Sequence, residues 1–278
     1  MSKVWFVTGA GTGIGAGVGN AVLRNGDRIV ATGRNLDKVR AAYAEMNEDR
    51  IAFVQLDVTD EGQVKTAVEA AIERFDRIDV LVNNAAYCLL GNFEEITPVE
   101  IERQFATNFY GAAHVIRAVL PAMRRQRSGH IFNISSVGGA VGMRHASAYG
   151  ATKFALEGLS ESVAEEVGRF GIKVTVVEPG FFRTALLAPQ HVRWARNSID
   201  DYADEGSTEA MWSPYNGAQP GDPAKLGDAL VTIANMETPP KLFAAGSDSL
   251  AMITLAVEAR MNALRVNEVL SRSTDGTF

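Results

Sequence analysis

The sequence contains few of the residues that build disulfide and metal sites. Its 278 residues include one cysteine, Cys88, and four histidines. A single cysteine excludes an internal disulfide and suits a reducing compartment, so we expect a cytoplasmic protein in which Cys88 is a small packing residue. The scattered histidines lack metal-ligand spacing, and no metal site is predicted.

Charge and apolar run length exclude two further classes of protein. The formal net charge of -6 argues against a nucleic-acid-binding surface. The early apolar run at Val4–Val7 has only 4 residues, too few for a signal peptide or a membrane span. With 46% hydrophobic residues, residues 1–278 fit a single domain that buries a large core.

Short apolar runs alternate along the chain with longer amphipathic stretches. The runs are rich in Val, Ile and Phe, which is typical of parallel strands covered on both faces. They occupy 4–7, 28–32, 51–56, 80–82, 130–134, 172–177 and 242–245. Helices are predicted near 35–46, 60–76, 98–126, 149–169 and 223–236. This alternation predicts an α/β fold with a doubly wound, Rossmann-type parallel sheet.

A glycine-rich turn follows the first predicted strand. It reads Val7-Thr-Gly-Ala-Gly-Thr-Gly-Ile-Gly15 and leads into a predicted helix that ends near Arg24. Strand, glycine turn and helix form the context of a dinucleotide-binding loop, because glycines admit a pyrophosphate and the helix offers free N–H groups. An ordinary tight turn is the alternative. Gly17 and Gly19 each cost about 1 kcal/mol inside a helix, so we expect a looser opening turn or unusually close packing.

Tyr149 and Lys153 lie four residues apart, a spacing that places both on one face of a helix. A free tyrosine has a pKa of about 10 and exchanges protons poorly at pH 7. An ammonium group beside it favours the phenolate, so we expect Lys153 to lower the pKa of Tyr149. The alternative is a half-buried tyrosine with a solvated lysine neighbour.

These motifs and their order resemble the short-chain dehydrogenase/reductase family, in its compact, non-extended branch. The resemblance extends over roughly residues 3–250 and rests on several motifs in register. They are Thr8-Gly-x-x-x-Gly-x-Gly15, Asn83-Asn-Ala85, Asn108, Ser136 thirteen residues before Tyr149, and Pro179-Gly180 followed by Thr184. The resemblance implies about seven strands in the order 3-2-1-4-5-6-7, and a homo-oligomer (dimer or tetramer) paired through the helices near 98–126 and 149–169.

The same resemblance implies a catalytic set of Asn108, Ser136, Tyr149 and Lys153. Tyr149 exchanges a proton with the substrate oxygen, and Ser136 donates a hydrogen bond to it. Lys153 binds the nicotinamide ribose, and Asn108 orders a water and the local helix. Judged singly, Ser136 is equally well a cap residue and Asn108 a polar residue bonded to backbone.

The implied cofactor site collects residues that follow strand ends. They are Gly9, Thr12, Gly13, Ile14, Gly15, Arg34, Asp57, Val58, Asn84, Ala85, Tyr149, Lys153, Pro179, Gly180 and Thr184. Gly33 replaces the acid of NAD-preferring chains, and the guanidinium of Arg34 suits a 2′-phosphate. NADP(H) is therefore predicted. NAD(H) is the alternative, because Thr12 stands where many NADP-using relatives carry a basic residue. Ala86 also departs from the family's glycine.

Residues 181–221 break the alternation and contain several prolines and aromatic residues. We expect a substrate lid, or else an insertion that packs on its own core or on another subunit. A C-terminal helix is predicted over 247–270, where it covers the pocket, joins a dimer contact or caps the core.

The residues expected to line the pocket suggest an apolar or aromatic ketone or secondary alcohol as substrate. They are Tyr87, Leu89, Leu90, Met143, His145, Trp194 and Trp212, with a surface loop histidine as the favoured alternative for His145. The predicted function is hydride transfer between NADP(H) and that substrate. An NAD(H)-dependent alcohol dehydrogenase and a non-catalytic, NADP(H)-sensing binding protein are the alternatives.

Overall fold

Seven parallel strands form one central sheet in a computed structural model that describes residues 2–189 and 191–276. The strands are β1 (Val4–Val7), β2 (Arg28–Gly33), β3 (Ile51–Gln55), β4 (Val80–Asn83), β5 (Gly129–Ile134), β6 (Ile172–Pro179) and β7 (Leu242–Ala245). They are arranged β3-β2-β1-β4-β5-β6-β7, and every neighbouring pair is parallel. The predicted strand order is confirmed.

Helices cover both faces of this sheet. They are α1 (Gly13–Arg24), α2 (Leu36–Ala41), α3 (Glu61–Phe75), α4 (Pro98–Phe105), α5 (Gly111–Gln126), α6 (Val137–Ala140), α7 (Ser147–Val167), α8 (Thr208–Trp212), α9 (Pro223–Ala234), α10 (Ser247–Val266) and α11 (Glu268–Arg272). A π-helical turn, Ala106–Tyr110, joins α4 to α5. Among the described helices, none is long and apolar enough to cross a membrane.

Two apolar cores lie on opposite faces of the sheet because successive strand residues point to opposite sides. Trp5 of β1 packs with α1 and α9 on one face, while Phe6 packs with α3 and α5 on the other. Both side chains are fully buried. The Rossmann-type α/β fold is therefore confirmed.

Close helix packing explains the glycines inside α1. A Cβ on Gly17 would lie 2.3 Å from the carbonyl oxygen of Pro223, where α9 begins. A Cβ on Gly19 would lie 2.1 Å from the Tyr43 hydroxyl. The expectation of unusually close packing is therefore confirmed. Glycine lowers the helix propensity at both positions, but its missing side chain lets α1 contact α9 and leaves room for Tyr43.

Three predicted helices differ from those observed. α2 ends at Ala41 rather than near 46, because the chain then tightens into turns and the Tyr43 hydroxyl donates to the Ala10 carbonyl. The π-helical turn interrupts the stretch predicted over 98–126. The C-terminal helix breaks at Asn267 and contacts α6 and β7, while much of its apolar surface, including Leu264, is exposed.

We predict that Gly17→Ala destabilises the fold by about 1–3 kcal/mol, because the added methyl group pushes α9 away from α1. The free energy of unfolding from urea titration measures the effect. Gly158→Ala is the matched control, since nothing lies within 4 Å of its added Cβ in α7. The control should gain up to about 1 kcal/mol from helix propensity. Equal stabilisation of both variants would contradict the packing argument.

Candidate active site

A cleft of about 950 Å³ lies at the carboxyl ends of the strands. The structure brings nearly all of the predicted site residues to its walls. Two predicted residues lie behind the wall instead. Gly15 is buried under the glycine turn, where a Cβ would lie 2.3 Å from the carbonyl oxygen of Gly9. Asn108 is buried beneath the loop after β4.

The glycine turn has the backbone that a phosphate site requires. Gly9 and Gly13 have φ angles of 64° and 54°, in the region that favours glycine. Thr12 precedes α1 and forms no side-chain capping bond. The first N–H groups of α1 are thus left without a side-chain cap, as an anion site at a helix N-terminus requires.

A hydrogen-bond brace holds this turn against β4. Asn84 donates from Nδ2 to the carbonyl oxygens of Thr8 and Gly9, at 3.0 and 3.1 Å. The Thr8 hydroxyl accepts from the backbone N–H groups of Asn84 and Ala85, at 2.9 and 3.0 Å. The side chain of Asn84 therefore supports the turn, and Thr8 is a site residue that the sequence analysis did not single out.

The far end of the cleft is formed by the residues that follow β2 and β3. A Cβ on Gly33 would lie 2.8 Å from Cγ2 of Val39, so packing disfavours a larger residue there. Arg34 lines the cleft, and no ion pair engages its guanidinium within the described residues. Asp57 accepts from the Thr59 N–H and hydroxyl, whereas Asp60 caps α3.

Ser136, Tyr149 and Lys153 line the other end of the cleft. Ser136 follows β5 and caps α6, its hydroxyl accepting from the Gly138 N–H at 3.1 Å. On α7, Tyr149 and Lys153 are 9% and 2% exposed, so the alternative of a solvated lysine is wrong. The Lys153 ammonium donates to the carbonyl oxygen of Ile134 at 2.7 Å and lies 5.7 Å from the centre of the Tyr149 ring.

Burial shifts the pKa values of this pair in opposite directions. Burial raises the pKa of Tyr149, and a hydrogen bond with Ser136 only partly offsets that rise. Burial also lowers the pKa of Lys153 to about 8. We expected Lys153 to lower the pKa of Tyr149, but burial of the phenol dominates and raises it instead. Tyr149 is protonated at neutral pH.

Cys88 lies beside this pair as a neutral packing residue, as expected. It is buried, and desolvation raises the pKa of its thiol to about 12.

Asn108 joins the loop after β4 to α7. Its Nδ2 donates to the Tyr87 carbonyl at 3.0 Å and to the Thr152 hydroxyl at 3.3 Å, and its Oδ1 accepts from the Tyr87 N–H at 3.1 Å. The side chain thus bonds mainly to backbone, which is the alternative the sequence analysis left open. Asn108 lies in the π-helical turn, a feature that is frequent at functional sites.

An apolar wall surrounds Tyr149. Leu90, Met143, Trp194 and Trp212 belong to one cluster with it. The short strand Leu89–Leu90 pairs with Arg193–Trp194, which joins part of segment 181–221 to the wall of the cleft.

Tyr87 and Leu89 also line the cleft, but His145 does not. His145 is buried with a φ of 62°, and its carbonyl accepts from the Gly91 N–H. The prediction that it lines the pocket is therefore wrong, because its backbone supports the loop instead.

Comparison with known proteins agrees with this geometry. A family model for short chain dehydrogenases matches residues 3–193. The chain belongs to the short-chain dehydrogenase family. This membership, predicted from the motifs, makes the protein an oxidoreductase of that family.

Relatives resemble this short-chain dehydrogenase along almost its whole length. Oxidoreductase BOA17 of Botryotinia fuckeliana (strain B05.10) is 36% identical over 265 residues, 93% of this chain and 94% of that protein. A short-chain dehydrogenase structure from Streptomyces avermitilis is 38% identical with a TM-score of 0.89, covering 99% of this chain and 100% of that one. The structure of ElxO with NADP bound is 29% identical with a TM-score of 0.75, covering 90% and 100%.

Glu157 is a half-buried titratable group of this dehydrogenase that the motifs did not reveal. It lies one helical turn after Lys153 and accepts a hydrogen bond from the Ser135 hydroxyl at 2.5 Å. Burial raises its pKa to about 7, the charges of Glu178 and Glu161 add to the rise, and Ser135 and Lys153 oppose it. Only its spacing of four residues from Lys153 signalled it in the sequence.

We predict that Glu157 makes stability fall as pH rises from about 4.5 to about 7. The folded protein holds this proton over that window and the unfolded chain does not, so folding is favoured at the acidic end. Between pH 5 and pH 8 the free energy of unfolding of wild type should fall by about 1–2 kcal/mol relative to that of Glu157→Gln. This value is reduced because the Glu157 side chain is partly exposed to solvent. Urea unfolding at both pH values measures this. Glu166→Gln, an exposed site on α7, is the matched control, and an equal change in both variants would refute the assignment.

Proposed function

We propose that this protein transfers a hydride between NADP(H) and an apolar or aromatic ketone or secondary alcohol, with Tyr149 as general acid and base. One observation carries the proposal: Ser136, Tyr149 and the buried Lys153 line the same cleft as a glycine turn that has no side-chain cap. The turn suits a dinucleotide, and the polar cluster suits a carbonyl oxygen.

The residues of the cleft fit the cofactor. Gly9, Thr12, Gly13 and Ile14 would hold its phosphates at the start of α1. Arg34 would bind a 2′-phosphate, since its guanidinium lines the cleft without an ion-pair partner among the described residues. The remaining predicted residues would contact the adenine and nicotinamide ends of the cofactor. They are Asp57, Val58, Asn84, Ala85, Pro179, Gly180 and Thr184. When bound, the nicotinamide supplies the hydride in reduction and accepts it in oxidation.

Tyr149 supplies the proton in the reduction direction. Its raised pKa keeps the phenol protonated at neutral pH, which is the form a donor needs. The proton passes from the phenol oxygen to the oxygen of the forming alkoxide, and oxidation reverses that transfer. Ser136 donates a hydrogen bond to the same substrate oxygen and stabilises its developing charge.

Lys153 and Asn108 support this proton transfer. Lys153 is fixed by the Ile134 carbonyl and stays protonated below a pKa of about 8, so its cation faces the phenol at neutral pH. A cation near the phenol stabilises negative charge there during oxidation. Asn108 positions Tyr87 and Thr152 rather than the substrate.

Segment 181–221 serves as the substrate lid in this proposal. Trp194 and Trp212 from this segment pack with Tyr149 and form an apolar wall. Such a wall favours apolar or aromatic substrates over charged ones, since it offers no partner to a buried charge. Homo-oligomer formation and a cytoplasmic location stay predictions.

We predict that Tyr149→Phe lowers kcat by about 10²–10⁴-fold while the Kd for NADPH changes little. The loss of absorbance at 340 nm measures turnover with a panel of apolar and aromatic ketones, with NADPH and NADH run side by side. Tyr110→Phe, at a tyrosine that is 54% exposed, is the matched control and should retain wild-type activity.

Two outcomes would contradict the proposal. Unchanged turnover in Tyr149→Phe would exclude the tyrosine as proton donor. Tight nucleotide binding by wild type without turnover of any ketone or alcohol would favour a nucleotide-sensing protein instead.

A further inference from the structure

Five basic side chains line the part of the cleft around Arg34 and Tyr87. They are Arg34, Lys38, Arg103, His191 and Arg193. The chain as a whole carries a net charge of -6, so this concentration of cations runs against the protein's overall balance. A cleft lined by one sign of charge attracts ligands of the opposite sign.

The carboxylates of the cleft do not neutralise these cations. Only Asp57 and Glu100 line it among the described acids. Asp57 accepts from Thr59, while Glu100 accepts from Thr97 and pairs with Arg196 at 3.6 Å. Within the residues that the structure describes, the five basic groups form no ion pair with a carboxylate.

Two of the five, His191 and Arg193, belong to segment 181–221, and three belong to the core of the domain. His191 lies with its Nε2 3.3 Å from the Lys38 ammonium. Arg193 is held by its backbone N–H, which donates to the Cys88 carbonyl at 2.8 Å. The segment and the core thus both place basic side chains at this part of the cleft.

The charges of these basic groups act on the same two titratable residues of the cleft, His191 and Tyr87. Burial lowers the pKa of His191, and the charges of Lys38, Arg193 and Arg34 lower it further. Burial dominates at Tyr87 and raises the pKa of its phenol, the charges of Arg103, Arg193 and Arg34 lower it, and the charge of Glu100 adds to the rise. An anion placed among these groups would relieve the repulsion among the lysine and arginine cations and would favour a protonated His191.

We propose that His191 and Arg193 are cofactor-specificity residues that bind the 2′-phosphate of NADP(H) from the side opposite Arg34 and Lys38. This inference rests on the proposed function, because it presumes an NADP(H) site. A phosphate monoester carries about -1.5 to -2 charges at pH 7 and offers three acceptor oxygens, enough to join cations from two elements. NAD(H) lacks that group and leaves the two sets of cations facing each other.

The arrangement links cofactor choice to the substrate wall. Arg193 and Trp194 form one short strand, and Trp194 packs in the cluster that contains Tyr149. A phosphate that holds His191 and Arg193 against the core therefore also fixes Trp194 beside the substrate. Bound NADP(H) therefore orders Trp194 in the apolar wall to a greater extent than bound NAD(H) does.

Calorimetric titration with adenosine 2′,5′-bisphosphate and with ADP tests the inference without any turnover. Wild type should prefer the bisphosphate, and both His191→Gln and Arg193→Gln should bind it at least about 5-fold more weakly, with unchanged affinity for ADP. Arg34→Gln should weaken it as well. Arg265→Gln, on the exposed α10 helix, is the charge-matched control and should bind both ligands as wild type does.

Hydrogen exchange of the backbone amides of 191–196 gives a second readout. The bisphosphate should slow exchange there in wild type by more than ADP does, and His191→Gln should abolish the difference. The inference is overturned if Arg34→Gln loses the bisphosphate preference while His191→Gln and Arg193→Gln keep it in full. A wild type that shows no preference at all would instead overturn the NADP(H) assignment.

Discussion

The buried ammonium of Lys153 is the constraint on which the site depends. At 2% exposure it needs a partner, and the carbonyl oxygen of Ile134 at the end of β5 provides one. That bond fixes α7 against the edge of the sheet, and with it Tyr149, one turn earlier on the same helix face. The low-dielectric surroundings that make the bond strong also raise the pKa of Tyr149 and lower that of Lys153.

The other elements of the site follow from the parallel sheet. Because every strand runs in the same direction, the loops after β1, β2, β4 and β5 meet at one edge. The brace between Thr8 and Asn84 then joins the glycine turn to β4, so the two halves of the cleft are held as one rigid wall. Segment 181–221 is joined to this wall where Arg193–Trp194 pairs with Leu89–Leu90.

Patterns that depend on local spacing were predictable from the sequence. The glycine turn and the face shared by Tyr149 and Lys153 follow from motifs and periodicity, whereas the strand order was implied by the resemblance to a known family. Effects of burial were not predictable, because desolvation depends on neighbours distant in the chain. Three features were missed for this reason. They are the raised pKa of Tyr149, the burial of His145, and the interruption of the helix predicted over 98–126.

A crystal structure of the protein with NADP(H) and a ketone or alcohol that it turns over tests the central claim most directly. The account predicts that the substrate oxygen lies within about 2.6–3.2 Å of both the Ser136 and the Tyr149 hydroxyl groups. It also predicts that the Lys153 ammonium remains beneath the phenol. A substrate oxygen bound elsewhere in the cleft, or a Tyr149 hydroxyl turned away from it toward solvent, would contradict the account.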